Sequence, residues 1–167
     1  MSLAIKGVTV AFREVAKFDQ LTDDEAKHLI YDELIPVCER AGVKLSDYGN
    51  HLGIESLLSV EDYEVRKGEQ QLFNVKRIKK AFQDLIVLLE DQTEPKDLSF
   101  SAVVIEKTDY FETSSQKLKT TLVSYFNPEI KKGDLVVAML LKGFRAQFGS
   151  RGESLQIDCD FNCRIRG

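Results

Sequence analysis

The closing stretch of the chain constrains its fold more than any other feature. From Leu155 to Arg166 apolar and polar side chains alternate: Leu155, Ile157, Cys159, Phe161, Cys163 and Ile165 fall on one face, and Gln156, Asp158, Asp160, Asn162, Arg164 and Arg166 on the other. A period of two marks a strand with one buried face. Such a strand is not stable alone. It needs strand neighbours for its backbone groups and a second layer to cover its apolar side.

Two of the three cysteines, Cys159 and Cys163, lie on the apolar face of this strand. Positions four apart on a strand are roughly 13 Å apart at ~3.3 Å per residue. That separation is too long for a disulfide between them, and for a shared zinc ion unless the strand breaks at Phe161. The remaining soft ligand candidates are Cys38, His28 and His51. Cys159 and Cys163 therefore read as buried structural thiols, and no metal or cofactor is expected. An odd number of cysteines and no export signal at the N-terminus point to reduced thiols and a cytoplasmic setting.

The neighbours can be sought upstream. Ala4 to Phe12 alternates, with Val8, Val10 and Phe12 on one face, and reads as a first strand. LSFSAVVIEK, from Leu98, reads as another, and so do the apolar run DLVVAMLL from Asp134 and the alternation Phe144, Ala146, Phe148. Gly143 suggests a bulge or bend, and Gly149 to Gly152 a hairpin turn. Strands between residues 98 and 166 are expected to form an antiparallel sheet joined by the N-terminal strand.

The covering layer is expected from helices. Thr22 followed by Glu25 has capping-box spacing, and Ala26, Leu29, Ile30, Leu34, Val37, Cys38 and Ala41 recur at helical intervals. Gly42 stands where a C-terminal cap belongs, and Pro36 should kink the helix or shift its last turn. Leu72, Val75, Ile78, Phe82, Leu85, Ile86 and Leu89 make a second stripe over residues 70–91, whose apolar second half suggests deep burial. A third helix follows a Ser114 or Ser115 cap and ends at Asn127-Pro128. Residues 43–70 read as loops with a short helix near Ile54 to Leu58. The fold class expected is α+β, with residues 1–167 as one globular domain: an antiparallel sheet covered by two long amphipathic helices, near residues 22–41 and 70–91.

Function is less legible. No run approaches the ~20 apolar residues of a membrane span, so no membrane partner is expected. The net charge of −4 does not suggest a dedicated nucleic-acid coat. Its distribution is uneven, however: residues 131–167 hold seven basic and four acidic side chains. A nucleic-acid surface could combine Lys76, Arg77, Lys79 and Lys80 with Arg145, Arg164 and Arg166, although acids are interspersed on the same elements. Asp24, His28 and Asp32, spaced four and four, share one helix face and form a candidate polar site for base or metal chemistry, set against a plain solvated face. A small-molecule pocket in the 43–70 loops would use Tyr48 or His51. No phosphate loop, nucleophile elbow or HExxH motif is found. The favoured expectation is a non-catalytic protein-interaction or accessory protein, with a protein partner or self-association. The nucleic-acid and small-molecule readings are alternatives.

Overall fold

The computed structural model describes residues 8–47, 49–50, 59–90, 104–125, 129–149 and 159–166. They form a mixed α+β fold, as the alternation and the helical stripes require. Strand β1 (Val8–Val10) pairs antiparallel with β6 (Ala146–Phe148), β6 with β7 (Cys159–Phe161), and β7 with β5 (Thr113–Ser114), giving the order β1-β6-β7-β5. The N-terminal strand thus joins the C-terminal ones, with Val8 opposite Phe148 and Val10 opposite Ala146. A separate two-stranded ladder pairs β4 (Val104–Lys107) with β8 (Cys163–Arg166). Short strands β2 (Leu45–Ser46) and β3 (Gly49–Asn50) pair with each other.

The C-terminal alternation holds in part. Cys159, Phe161 and Cys163 are buried as their period demands, whereas Ile165 is half-buried. Asn162, expected on the polar face, is buried too. The cause is a break in the strand: at Asn162 the chain leaves the four-stranded sheet and enters the β4–β8 ladder. The Asn162 side-chain oxygen accepts the Arg145 N–H at 2.7 Å, and its backbone carbonyl accepts the Thr108 N–H at 3.0 Å. An amide side chain inside the fold thus satisfies backbone groups that the interrupted ladder would leave unpaired. Residues 155 and 157 lie outside the described residues.

The first long helix starts as its sequence dictates. Thr22 Oγ1 accepts the Glu25 N–H at 3.1 Å, and Glu25 Oε1 accepts the Thr22 N–H at 3.0 Å, which closes the capping box on α1 (Asp23–His28). The chain then widens into a π-helical segment (Leu29–Leu34) and resumes as α2 (Ile35–Arg40). Pro36 explains the widening. It has no N–H for the Asp32 carbonyl, and an extra residue in the preceding turn lets Ile35 N–H reach the Ile30 carbonyl instead. After α2 the Val43 N–H bonds the Cys38 carbonyl and the Gly42 N–H bonds that of Glu39. This is a Schellman closure with Gly42 at φ +82°.

Three sequence expectations are corrected. Residues 60–68, read as loop, form helix α3 (Val60–Gly68), capped by Ser59 Oγ on the Asp62 N–H. DLVVAMLL, read as a central strand, lies in helix α6 (Lys132–Leu141), whose residues from Gly133 onward are all buried. A short run that is apolar on every position carries no period, so strand and buried helix read alike. The ends decide it. Asp134 accepts the Lys131 N–H at 3.1 Å. Phe144 N–H to Met139 and Gly143 N–H to Leu140 close a second Schellman motif with Gly143 at φ +91°. Gly143 is therefore a helix cap rather than a strand bulge.

Helix α4 (Val75–Glu90) packs on α6 and β4, and α5 (Ser115–Tyr125) packs on the other side chains of α6 and on β5 and β7. Leu72 is buried but precedes α4. In the second half of α4 Ala81, Phe82, Leu85 and Leu88 are buried, whereas Val87 is 49% exposed, so this half is not enclosed on every side. The Ser114 hydroxyl accepts the Lys117 N–H at 3.1 Å at the start of α5.

Candidate functional site

The acidic face of α1 borders a groove. Its floor is apolar: Val15 from the strap after β1, Leu21 from the turn before α1, and Leu29 from the π segment. The rest of its lining is charged or polar: Arg13, Asp24, Glu25, His28 and Glu33. The groove holds about 510 Å³ and is wide open to solvent, a surface depression rather than a cavity. Between residues 23 and 33 the sequence holds five acids against one lysine, and three of those acids, Asp24, Glu25 and Glu33, line the groove. Arg13 crosses to Glu33 with Nη1 to Oε1 at 2.9 Å and Nη2 to Oε2 at 3.2 Å, and both side chains stay well exposed. This arginine holds the Glu33 carboxyl below the usual range.

Two members of the expected Asp24/His28/Asp32 set line the groove, Asp24 and His28. Asp32 contacts His28 directly, with Oδ2 at 2.5 Å from Nδ1. Both side chains are more than half exposed, at 73% and 56%, so water screens the pair. Arg13, Val15 and Leu21 were not anticipated as site residues. They reach the groove from a separate segment, and sequence spacing carries no signal for that approach.

The basic residues of α4 are mostly engaged inside the fold. Arg77 bonds two aspartates, Lys79 Nζ reaches the Leu21 carbonyl at 2.5 Å and Asp23 at 2.8 Å, and Lys80 Nζ meets Asp84 at 2.6 Å. Arg164 forks onto Glu112 with two contacts of 3.2 Å. Lys76 and Arg145 are exposed, and the Arg145 guanidinium stands 5.7 Å from the Phe111 ring centroid. Arg166 pairs with Val104 in the β4–β8 ladder.

A second charged cluster is centred on a buried carboxylate, Asp134, with partly exposed partners, and has a different character. Arg77 Nε donates to Asp134 Oδ2 at 2.8 Å, and its Nη2 donates to Asp47 Oδ2 at 3.0 Å. Lys131 Nζ is 3.4 Å from the same Asp47 oxygen. Asp134 is fully buried, and burial holds its carboxyl above the usual Asp range even against the pull of Arg77. The backbone is interlocked here as well: Asp47 N–H bonds the Leu72 carbonyl, and Gly133 N–H bonds the Asp47 carbonyl. Gly133 has no room for a side chain. An added Cβ would overlap the Ser46 carbonyl oxygen and stand 2.7 Å from Asp47 Cα. Nearby, the Tyr31 hydroxyl accepts the Leu72 and Phe73 N–H groups at 2.9 and 3.1 Å. This cluster fastens β2, the 71–74 connection and α6 to one another.

The three cysteines are free and buried. Burial pushes the Cys38 thiol up to about 12 and Cys163 up to about 11, so neither is a thiolate near neutrality. Among the described residues no three His, Cys, Asp or Glu side chains converge as a metal ion would require, and no helix is long and apolar enough to cross a membrane. Tyr48, His51 and the 54–58 segment lie outside the described residues. Comparison with protein-family models, with curated proteins and with solved structures finds no match to this chain.

Proposed function

We propose that this chain is a protein-interaction module without catalytic chemistry of its own, and that it docks a partner along α1. The occupant is a segment of another protein that presents an apolar side chain between positively charged neighbours. One observation carries this reading: the groove brings apolar Val15, Leu21 and Leu29 together with three carboxylates, Asp24, Glu25 and Glu33, against Arg13 and His28. An apolar anchor supplies affinity by leaving water, and complementary charge steers approach and fixes register. The π segment adds support, because such widened turns often sit where a helix serves a ligand. The nucleic-acid alternative is weaker. Phosphates would have to compete with the aspartates and glutamate already bonded to Arg77, Lys79, Lys80 and Arg164.

The test is a titration by nuclear magnetic resonance. The probe is a capped pentapeptide of arginine-leucine-arginine flanked by glycines. Backbone shifts should concentrate at residues 13–33, and a peptide with glutamate in place of arginine should leave them unmoved. Val15→Arg, which charges the floor, should abolish the response. Shifts scattered over the whole chain, or an equal response to the acidic peptide, would refute the reading.

A further inference from the structure

The groove already contains one cation, and it comes from the chain itself. Residues 11–17 form a strap fixed at two points. Val10 is held in β1, and the Val15 N–H bonds the carbonyl of Leu141 at the end of α6 at 2.8 Å. Phe18, just beyond, is fully buried and meets Phe82 in a tilted contact with ring centroids 5.6 Å apart. Between the two anchors Arg13 projects outward, its guanidinium 4.9 Å from the Phe12 ring centroid and paired twice with Glu33.

We infer that Arg13 is an internal stand-in for the partner's cation, occupying Glu33 in the free protein and yielding it to an incoming guanidinium or ammonium group. This rests on the docking reading above and assigns a regulatory element to the same groove. Three observations combine. The pair is exposed enough to exchange, with side chains at 56% and 40% accessibility. The strap cannot drift far, because it is pegged on either side, so Arg13 remains a local competitor rather than a remote charge. Glu33 also lies in the π segment, on the groove itself. An exposed pair of this kind is weakly held, so the competition is mild and reversible.

The experiment uses the full chain and the same arginine-leucine peptide. Arg13→Ala should bind about two- to fivefold more tightly than the unaltered protein, the range set by an exposed ion pair. Lys17→Ala removes an exposed cation from the same strap outside the groove, and its affinity should stay unchanged. Glu33→Gln should weaken binding, and Arg13→Ala added to it should bring no gain. An unchanged melting temperature checks that each variant is folded. Should Arg13→Ala fail to fold, the response of Glu33→Gln decides: undiminished binding overturns the stand-in. Equal or weaker binding by a folded Arg13→Ala, or equal gains from Arg13→Ala and Lys17→Ala, overturns it as well while leaving the groove in place. Failure of every variant to bind the peptide overturns both readings.

Discussion

Two clusters in this molecule are built from the same chemistry, arginine against carboxylate, and have opposite consequences. At α6, Arg77 meets a fully buried Asp134, and the pair is fenced by Asp47, Lys131 and a glycine with no room for a Cβ. At α1, Arg13 meets Glu33 in water beside an open groove. The buried pair cannot exchange without leaving a charge in an apolar interior, so it fixes the fold. The exposed pair can exchange at small cost, so it is free to serve recognition. Depth, rather than the identity of the partners, separates an ion pair locked into the fold from one that can exchange.

The sharpest way to break this comparison is to remove the guanidinium from the buried side. Arg77→Met, which keeps the apolar stem, should cost about 3–5 kcal/mol in urea unfolding because Asp134 loses its compensation. Asp134→Leu in the same chain should recover much of that loss. If Arg77→Met cost no more than Arg13→Ala, depth would not be the deciding variable. Gly133→Ala comes next. The added methyl meets backbone on the β2 side rather than a side chain that could swing away, and a loss of about 2–3 kcal/mol is expected in the same assay.

A smaller effect lies at the end of α3. Gln71 N–H to Arg66 and Gln70 N–H to Lys67 close a third Schellman motif, but here the left-handed position, φ +55°, is held by Gln70. A side chain is strained in that conformation where Gly42 and Gly143 are not. Gln70→Gly should therefore stabilise the protein by about 0.5–1 kcal/mol, read as a rise in the urea midpoint.

The pH dependence gives the finest discrimination, because the two clusters titrate with opposite sign. Asp23, Glu25 and Glu33 have lowered pKa values, through bonds to Lys79, Thr22 and Arg13 respectively. Their contribution is present above the unfolded carboxylate range and is lost as pH falls through their folded values. Asp134 is raised by burial, so only in the acid window between its unfolded value near 3.8 and its higher folded value does the native carboxyl hold a proton that the unfolded one has released; its contribution falls as pH rises through that window, above which it is the ionised partner of Arg77. Glu25→Gln should flatten the acid limb of a stability–pH curve measured by urea unfolding. Asp134→Asn should steepen that limb. Matching changes in the two variants would contradict the opposed signs.

How far the sequence speaks follows from the same distinction. Helix starts and ends are legible because their signals are local: Thr22 with Glu25, Gly42, and Pro36 all act within one turn of themselves. The strand character of β1, β6 and β7 is legible through period two. α6 was not, because an apolar run without a polar face has no period. The clues that would have helped were its ends, Asp134 three residues after Lys131 and Gly143 beyond Leu141. Of the groove, only Asp24 and His28 stood out, since both lie on one helix. Arg13, Val15 and Leu21 join them only when the strap folds across α1, an approach set by tertiary contacts and not by spacing.

The crossing at Asn162 bears on how the molecule responds to force. Because β8 pairs with β4 while β7 lies between β6 and β5, a load on the carboxyl end meets two zippers in series rather than one continuous seam. The outer zipper should peel at low tension. The inner one should then resist more strongly, because its strand is flanked on both sides and Asn162 ties the junction to Arg145 and Thr108.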